Sequence, residues 1–150
     1  MHNELKKIYN NLLDCHIANL YSFYFKLYKY EKYFQKKTNL DISVAVDNVI
    51  DIVNDAIGKG EISYHYVGHM PELSMRFLTD RSVISHQFSP SSQYVEILNA
   101  LSEDQEMIEK TLELTIQYSD SLRLQDDAIR LMESHKTIHQ AFEGLKVVLQ

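Results

Sequence analysis

Between Asn3 and Lys37 the chain has no glycine or proline, and apolar residues return every three to four positions as Leu13, Leu20, Tyr24, Leu27 and Phe34. That spacing is one face of an α-helix. Glu31 falls on the same stripe, four residues after Leu27, while Lys26, Lys29, Lys32, Lys36 and Lys37 fall on the opposite side. A second stripe, Ile42, Val46, Val49, Val53 and Ala56, predicts a second helix. Asp47, Asp51 and Asp55 run along it at four-residue intervals, away from the apolar face. Leu98, Leu101, Ile108 and Leu112 predict a third long helix, starting near Ser91 or Ser92, whose hydroxyls suit capping after Pro90. The last stripe is the most regular: Leu124, Ala128, Leu131, His135, Ile138, Phe142, Leu145 and Leu149. The link SLRLQ at 121–125 is short, which makes the last two helices antiparallel neighbours.

Gly58 and Gly60 come next, and the connection between the second and third helices runs from Gly68 through Pro71 to Pro90. A structureless loop of that length is uncommon. PELSMRFL inside it has a helix-like start, so a short extra helix is expected there, with Pro71 in its first turn and Glu72 beside it. Four long helices with one long crossover between the second and third make an all-α, ferritin-like four-helix bundle. One domain spanning residues 1–150 accounts for the whole pattern.

Composition narrows the classes. Four glycines and two prolines are too few for the turns of an all-β fold. No apolar run approaches a membrane span, and the start MHNELKKIYNNLLD is not a signal peptide. The lone Cys15 excludes an intrachain disulfide and suits a reducing compartment, so a soluble, cytoplasmic protein is expected. The net charge of −6 disfavours generic nucleic-acid binding.

Candidate chemistry is sparse. Di-iron sites inside a bundle need Glu-x-x-His on two helices, and no glutamate here is followed by histidine three residues on. Glu61, His65 and His69 have metal-ligand spacing if the second helix reaches that far, and His135 and His139 have it on the last helix. Surface or interface histidine is the simpler reading of both pairs, and His135 reads as a hydrogen-bonded core histidine. Lys29, Lys32 and Lys36, interleaved with tyrosines, offer phosphate attraction and base stacking, or simply a solvated face. Cys15 has no catalytic partner pattern, and no catalytic residue is assigned. Glu31 is the oddest residue, because carboxylates are rarely buried unpaired. It is either paired with a lysine, placed at a subunit interface, or a metal ligand.

Three segments carry a family resemblance. LLDCHIANLYSFYFKLYKYEKY resembles the first helix of the Dps-like mini-ferritins, VGHMPELSMRFL their Gly-Gly-x-Pro segment and short crossover helix, and DDAIRLMESHKTIHQAFEGLKVVL their last helix. The resemblance implies a hollow homo-dodecamer that sequesters iron and protects against stress, with the ferroxidase site between subunits. Its ligand positions fall on Glu31, Ser43, Asp47, Gly58 and Ile62, so both family histidines and the neighbour's acidic pair are absent. Tyr28 and Lys32 replace the other histidine and the tryptophan of the first-helix motif. Glu31 and Asp47 alone can hold one weak divalent ion, so ferroxidase turnover is expected to be impaired or absent. Asp51 and Asp55 are candidate nucleation carboxylates, and Asp120, Asp126 and Asp127 candidate pore residues, with Leu124 and Arg130 at or near expected acids. The lysine-rich DNA-binding tail of some members has no counterpart, leaving the Lys29, Lys32 and Lys36 face as its substitute. Two rivals remain: a shell or partner-binding protein that has lost iron chemistry, and a DNA-compacting protein using that lysine face.

Overall fold

In the computed structural model, which describes every residue except Met1, Thr38, Met70, Glu72, His86, Gln87 and Ser92 and the side chain of His2, the chain is all-helical. Its elements are α1 (His2–Lys36), α2 (Leu40–Val67), α3 (Met75–Arg81), α4 (Tyr94–Ser121) and α5 (Gln125–Leu149). Among the described residues no helix is long and apolar enough to cross a membrane.

Cross-helix bonds fix the arrangement. Tyr64 on α2 reaches back to Asp14 on α1, Lys26 on α1 meets Asp104 on α4, and Asn19 meets Thr111 on α4. Rising numbers on one helix pair with falling numbers on the other, so α1 is antiparallel to both α2 and α4. The same reasoning makes α5 antiparallel to α2, through Ser63–Asp127 and Arg130–Lys59, and to α4, through Glu113–His135 and Glu109–His139. The parallel helices α2 and α4 are therefore joined by a crossover running the length of the bundle. The short α3 packs on α1.

Local chemistry explains the boundaries. Asn39 caps α2 by accepting the Ile42 N–H. Gly68 ends it at φ +63°, a left-handed conformation that glycine adopts without a Cβ clash. Ser74 caps α3 by accepting the Phe77 N–H at 3.1 Å. Pro71 therefore precedes α3 rather than occupying its first turn, and Glu72 lies outside the described residues. The expected serine start of α4 shifts too. The N-cap position is Gln93, which makes no side-chain capping bond. Ser91 instead accepts the Gln93 N–H and donates to Glu96, and Ser92 lies outside the described residues.

The predicted stripes form the core. Leu13, Leu20, Leu27 and Phe34 of α1 are fully buried, as are Val46, Leu101, Ile108, Leu112, Leu131 and Phe142. Burial of each such side chain contributes about 1.5–3 kcal/mol before conformational entropy is charged against it. Gly60 lets α1 approach α2 closely, since a Cβ there would lie 2.5 Å from Ile17 Cδ1.

Candidate functional site

Glu31 and Asp47 come together across the α1/α2 seam. Glu31 is 8% exposed. Burial pushes its carboxyl above the usual carboxylate range, and hydrogen bonding to Asp47 and the Asp47 charge push it the same way. Lys32 opposes this weakly, its ammonium 3.9 Å away and half exposed. Gln35 donates to the Glu31 carboxylate at 3.2 Å. Asp47 is exposed, so the pair opens outward along α2. Asp51 adds charge to it, whereas Asp55 turns to Lys59 at 3.3 Å. At the other implied ligand positions Ser43 is buried and Gly58 and Ile62 are exposed.

The donor set falls short of a two-iron centre. Among the described residues no three histidine, cysteine or carboxylate side chains converge to hold a metal. Glu31 and Asp47 bring two carboxyl groups together and lack the imidazoles a pair of irons needs to stay bound and cycle.

The remaining candidates separate. Glu61 accepts a hydrogen bond from Tyr21, His65 is exposed, and His69 lies beyond α2 with its Nε2 3.2 Å from both Asp14 oxygens. These three share no site. His135 is partly exposed rather than a core residue, and it faces Glu113 at 3.2 Å. His139 faces Glu109 at 2.8 Å. Asp120 and Asp126 are exposed. Asp127 is completely buried and accepts from Tyr9, Ser63, Ser119 and Arg130. It is therefore committed to the interior of this chain and is not free to line a channel.

On the lysine face, Lys29, Lys32 and Lys36 are exposed as expected. With Tyr28, Tyr33 and Phe88 they line a shallow cavity of about 280 Å³. Lys32 lies over the Tyr28 ring and Lys37 over the Tyr33 ring. Lys26 departs from the expectation. It is 6% exposed and paired with Asp104 at 2.7 Å. Burial pushes the Asp104 carboxyl up, against the pull of Lys26.

His16 escaped the sequence reading altogether, and Asp127 entered it without its burial. His16 is fully buried, neither ring nitrogen has a hydrogen-bond partner, and burial, with His135 adding to it, lowers its pKa to about 4. Its place between Leu13 and Leu20 on the α1 stripe is a signal that was available. Asp127 gave none, since Asp126 beside it looks the same in sequence and is exposed.

No protein-family model matches the chain, and no curated protein matches it.

Proposed function

We propose that the chain is the subunit of a ferritin-like, Dps-like shell that gathers iron as cargo without a working oxidation centre, in the cytoplasm. The helix order supports the fold assignment: antiparallel neighbours, parallel α2 and α4, and an end-to-end crossover carrying a short helix against α1. The observation that carries the functional part is the seating of the Glu31 carboxyl against Asp47. Two carboxylates in contact repel when both are ionised, and a divalent cation relieves that repulsion by replacing the proton they would otherwise hold. Asp51 lies along the same face and raises the local cation concentration. Two carboxylates do not supply ligands for two irons, so no oxidation step is assigned to this site.

Native mass measurement after anaerobic ferrous loading tests the reading. The expected result is a twelve-subunit mass with bound iron, less iron in Glu31→Gln and Asp47→Asn at unchanged assembly, and aerobic oxidation no faster than without protein. A monomeric mass sinks the shell, an iron-free shell sinks the cargo role, and rapid oxidation lost in Glu31→Gln sinks the degenerate site.

A second reading, DNA compaction, is favoured by the basic aromatic cavity at Lys29, Lys32 and Lys36. It requires DNA retardation that weakens with salt and disappears on charge reversal at those three lysines.

A further inference from the structure

We infer that the seam between α4 and α5 carries a second cation site, for a borderline divalent ion of the zinc type, built on His135 and His139. The site is distinct from the Glu31–Asp47 pair and does not depend on the shell reading.

The two histidines stand four residues apart on α5, and across from them Glu113 and Glu109 stand four residues apart on α4. The helices are antiparallel, so the four side chains form two adjacent rungs, Glu113–His135 at 3.2 Å and Glu109–His139 at 2.8 Å. Histidines at this spacing on one helix face can chelate a single ion. Here a second element supplies carboxylates that hold and orient the two rings.

Each rung occupies only one ring nitrogen. At His139 the engaged atom is Nδ1, held by Glu109, and Nε2 faces Glu143 Oε1 at 3.9 Å. That gap is too long for a hydrogen bond and longer than the roughly 3.3 Å between two ligands of a tetrahedral ion with bonds of about 2.0–2.1 Å, so Glu143 closes on His139 when an ion binds. A carboxylate on one nitrogen that leaves the other as a lone-pair donor is the usual environment of a ligating imidazole. At His135 the engaged atom is Nε2, which leaves Nδ1 as its donor. His135 and Glu113, with Ile116 and Met132, line a cavity of about 240 Å³ that gives an ion room to enter.

The groups do not converge as they stand. His139, Glu143 and Glu113 are each more than half exposed in their side chains, so their rotation costs little packing. The competitor already present is Lys146, whose ammonium lies 3.2 Å from Glu143. A divalent ion bound to His139 displaces it. Mixed imidazole and carboxylate ligands select zinc-like ions over calcium or magnesium.

Zinc chloride titration of the purified full chain by calorimetry is the test, with helicity followed in parallel to show that each variant is folded. The expected result is one zinc ion per chain, lost in His139→Ala, weakened in His135→Ala, and weakened about 10–100-fold in Glu109→Gln, which removes only the orienting carboxylate. His65→Ala binds as wild type. So does Glu31→Gln, which separates this site from the iron reading. Absence of zinc binding in the folded wild type, or wild-type affinity in folded His139→Ala, overturns the inference.

Discussion

Single buried side chains set the acid response of this molecule, and they act in opposite directions. His16 is neutral in the fold, with its pKa lowered from about 6.5 to about 4, chiefly by burial. Between these values the unfolded chain binds a proton that the folded chain refuses. The contribution of His16 is therefore complete above pH 6.5 and is lost as pH falls towards 4, an effect of about 3 kcal/mol at most. The carboxyls of Glu31 and Asp104 are raised. Each contributes stability below its unfolded pKa and loses it as pH rises through its folded value. Urea unfolding of His16→Leu isolates the histidine: the variant is expected to lose less stability than wild type between pH 6.5 and 4.5. Equal losses in the two proteins would show that His16 does not govern acid sensitivity. Glu31→Gln has the opposite signature. It removes a charge that the seam disfavours, so it should melt no earlier than wild type at pH 7 while binding less iron. Stability and binding that part in this way mark a residue retained for function rather than for packing.

At the scale of the helices, the sequence was most legible where repeated burial left a period. The stripes of α1, α2 and α5 lie in the core except at Tyr24, Leu124 and His135, which are only partly buried, and Glu31 is buried on its stripe as its spacing requires. What the period could not show was pairing between distant positions. Lys26 counts as an outer-face residue by angle, since lysine is seldom buried, and its partner Asp104 lies 78 positions further on. The meeting of Glu31 with Asp47 needed the α1/α2 register, which no local pattern contains. The crossover is the other illegible element, because its anchor is a side chain of α1. Asn19 accepts the Val83 N–H at 2.9 Å and the Ser82 hydroxyl at 3.1 Å, and donates to Thr111 on α4. One amide thereby ties the end of the α3 segment to two helices. Asn19→Leu strands those donors and should cost about 1–3 kcal/mol. Amide exchange at Val83 should accelerate more than exchange in the middle of α4. Uniform acceleration through all helices would show that Asn19 supports the bundle as a whole rather than the crossover.

Across the whole molecule, both ends of the bundle close with apolar clusters, and one of them adds a buried polar network. One end closes with apolar residues, among them Phe34, Ile42, Ile97 and Leu149. The other packs Leu13, Ile17, Tyr64, Val67 and Leu122 beside the carboxylate of Asp127, which gathers Tyr9 from α1, Ser63 from α2, Ser119 from α4 and Arg130 from its own helix. Two donors reach each carboxylate oxygen, so the acceptor capacity of the group is filled. Arg130 carries the network outward, donating to the Lys59 carbonyl at 3.2 Å and stacking over Tyr66 at 5.1 Å. Burial with Asp127 raises the Tyr9 phenol well above its ordinary range, so Tyr9 remains a donor at any physiological pH. A fully paired buried carboxylate gives little net stability over an apolar core, but removing it strands buried donors. Asp127→Ala leaves the Tyr9 and Ser63 hydroxyls and one arm of the Arg130 guanidinium without their acceptor, while Ser119 keeps the Leu124 carbonyl, and should cost about 3–5 kcal/mol. Asp126→Ala, one residue away and exposed, should change stability by less than about 0.5 kcal/mol. The pair also separates structure from ion traffic. If acids at this end of α5 conduct cations into a shell, Asp126→Ala together with Asp120→Ala slows iron uptake at unchanged melting temperature. Asp127→Ala lowers the melting temperature first. Slowed uptake in a fully stable Asp127→Ala protein would return that residue to the channel.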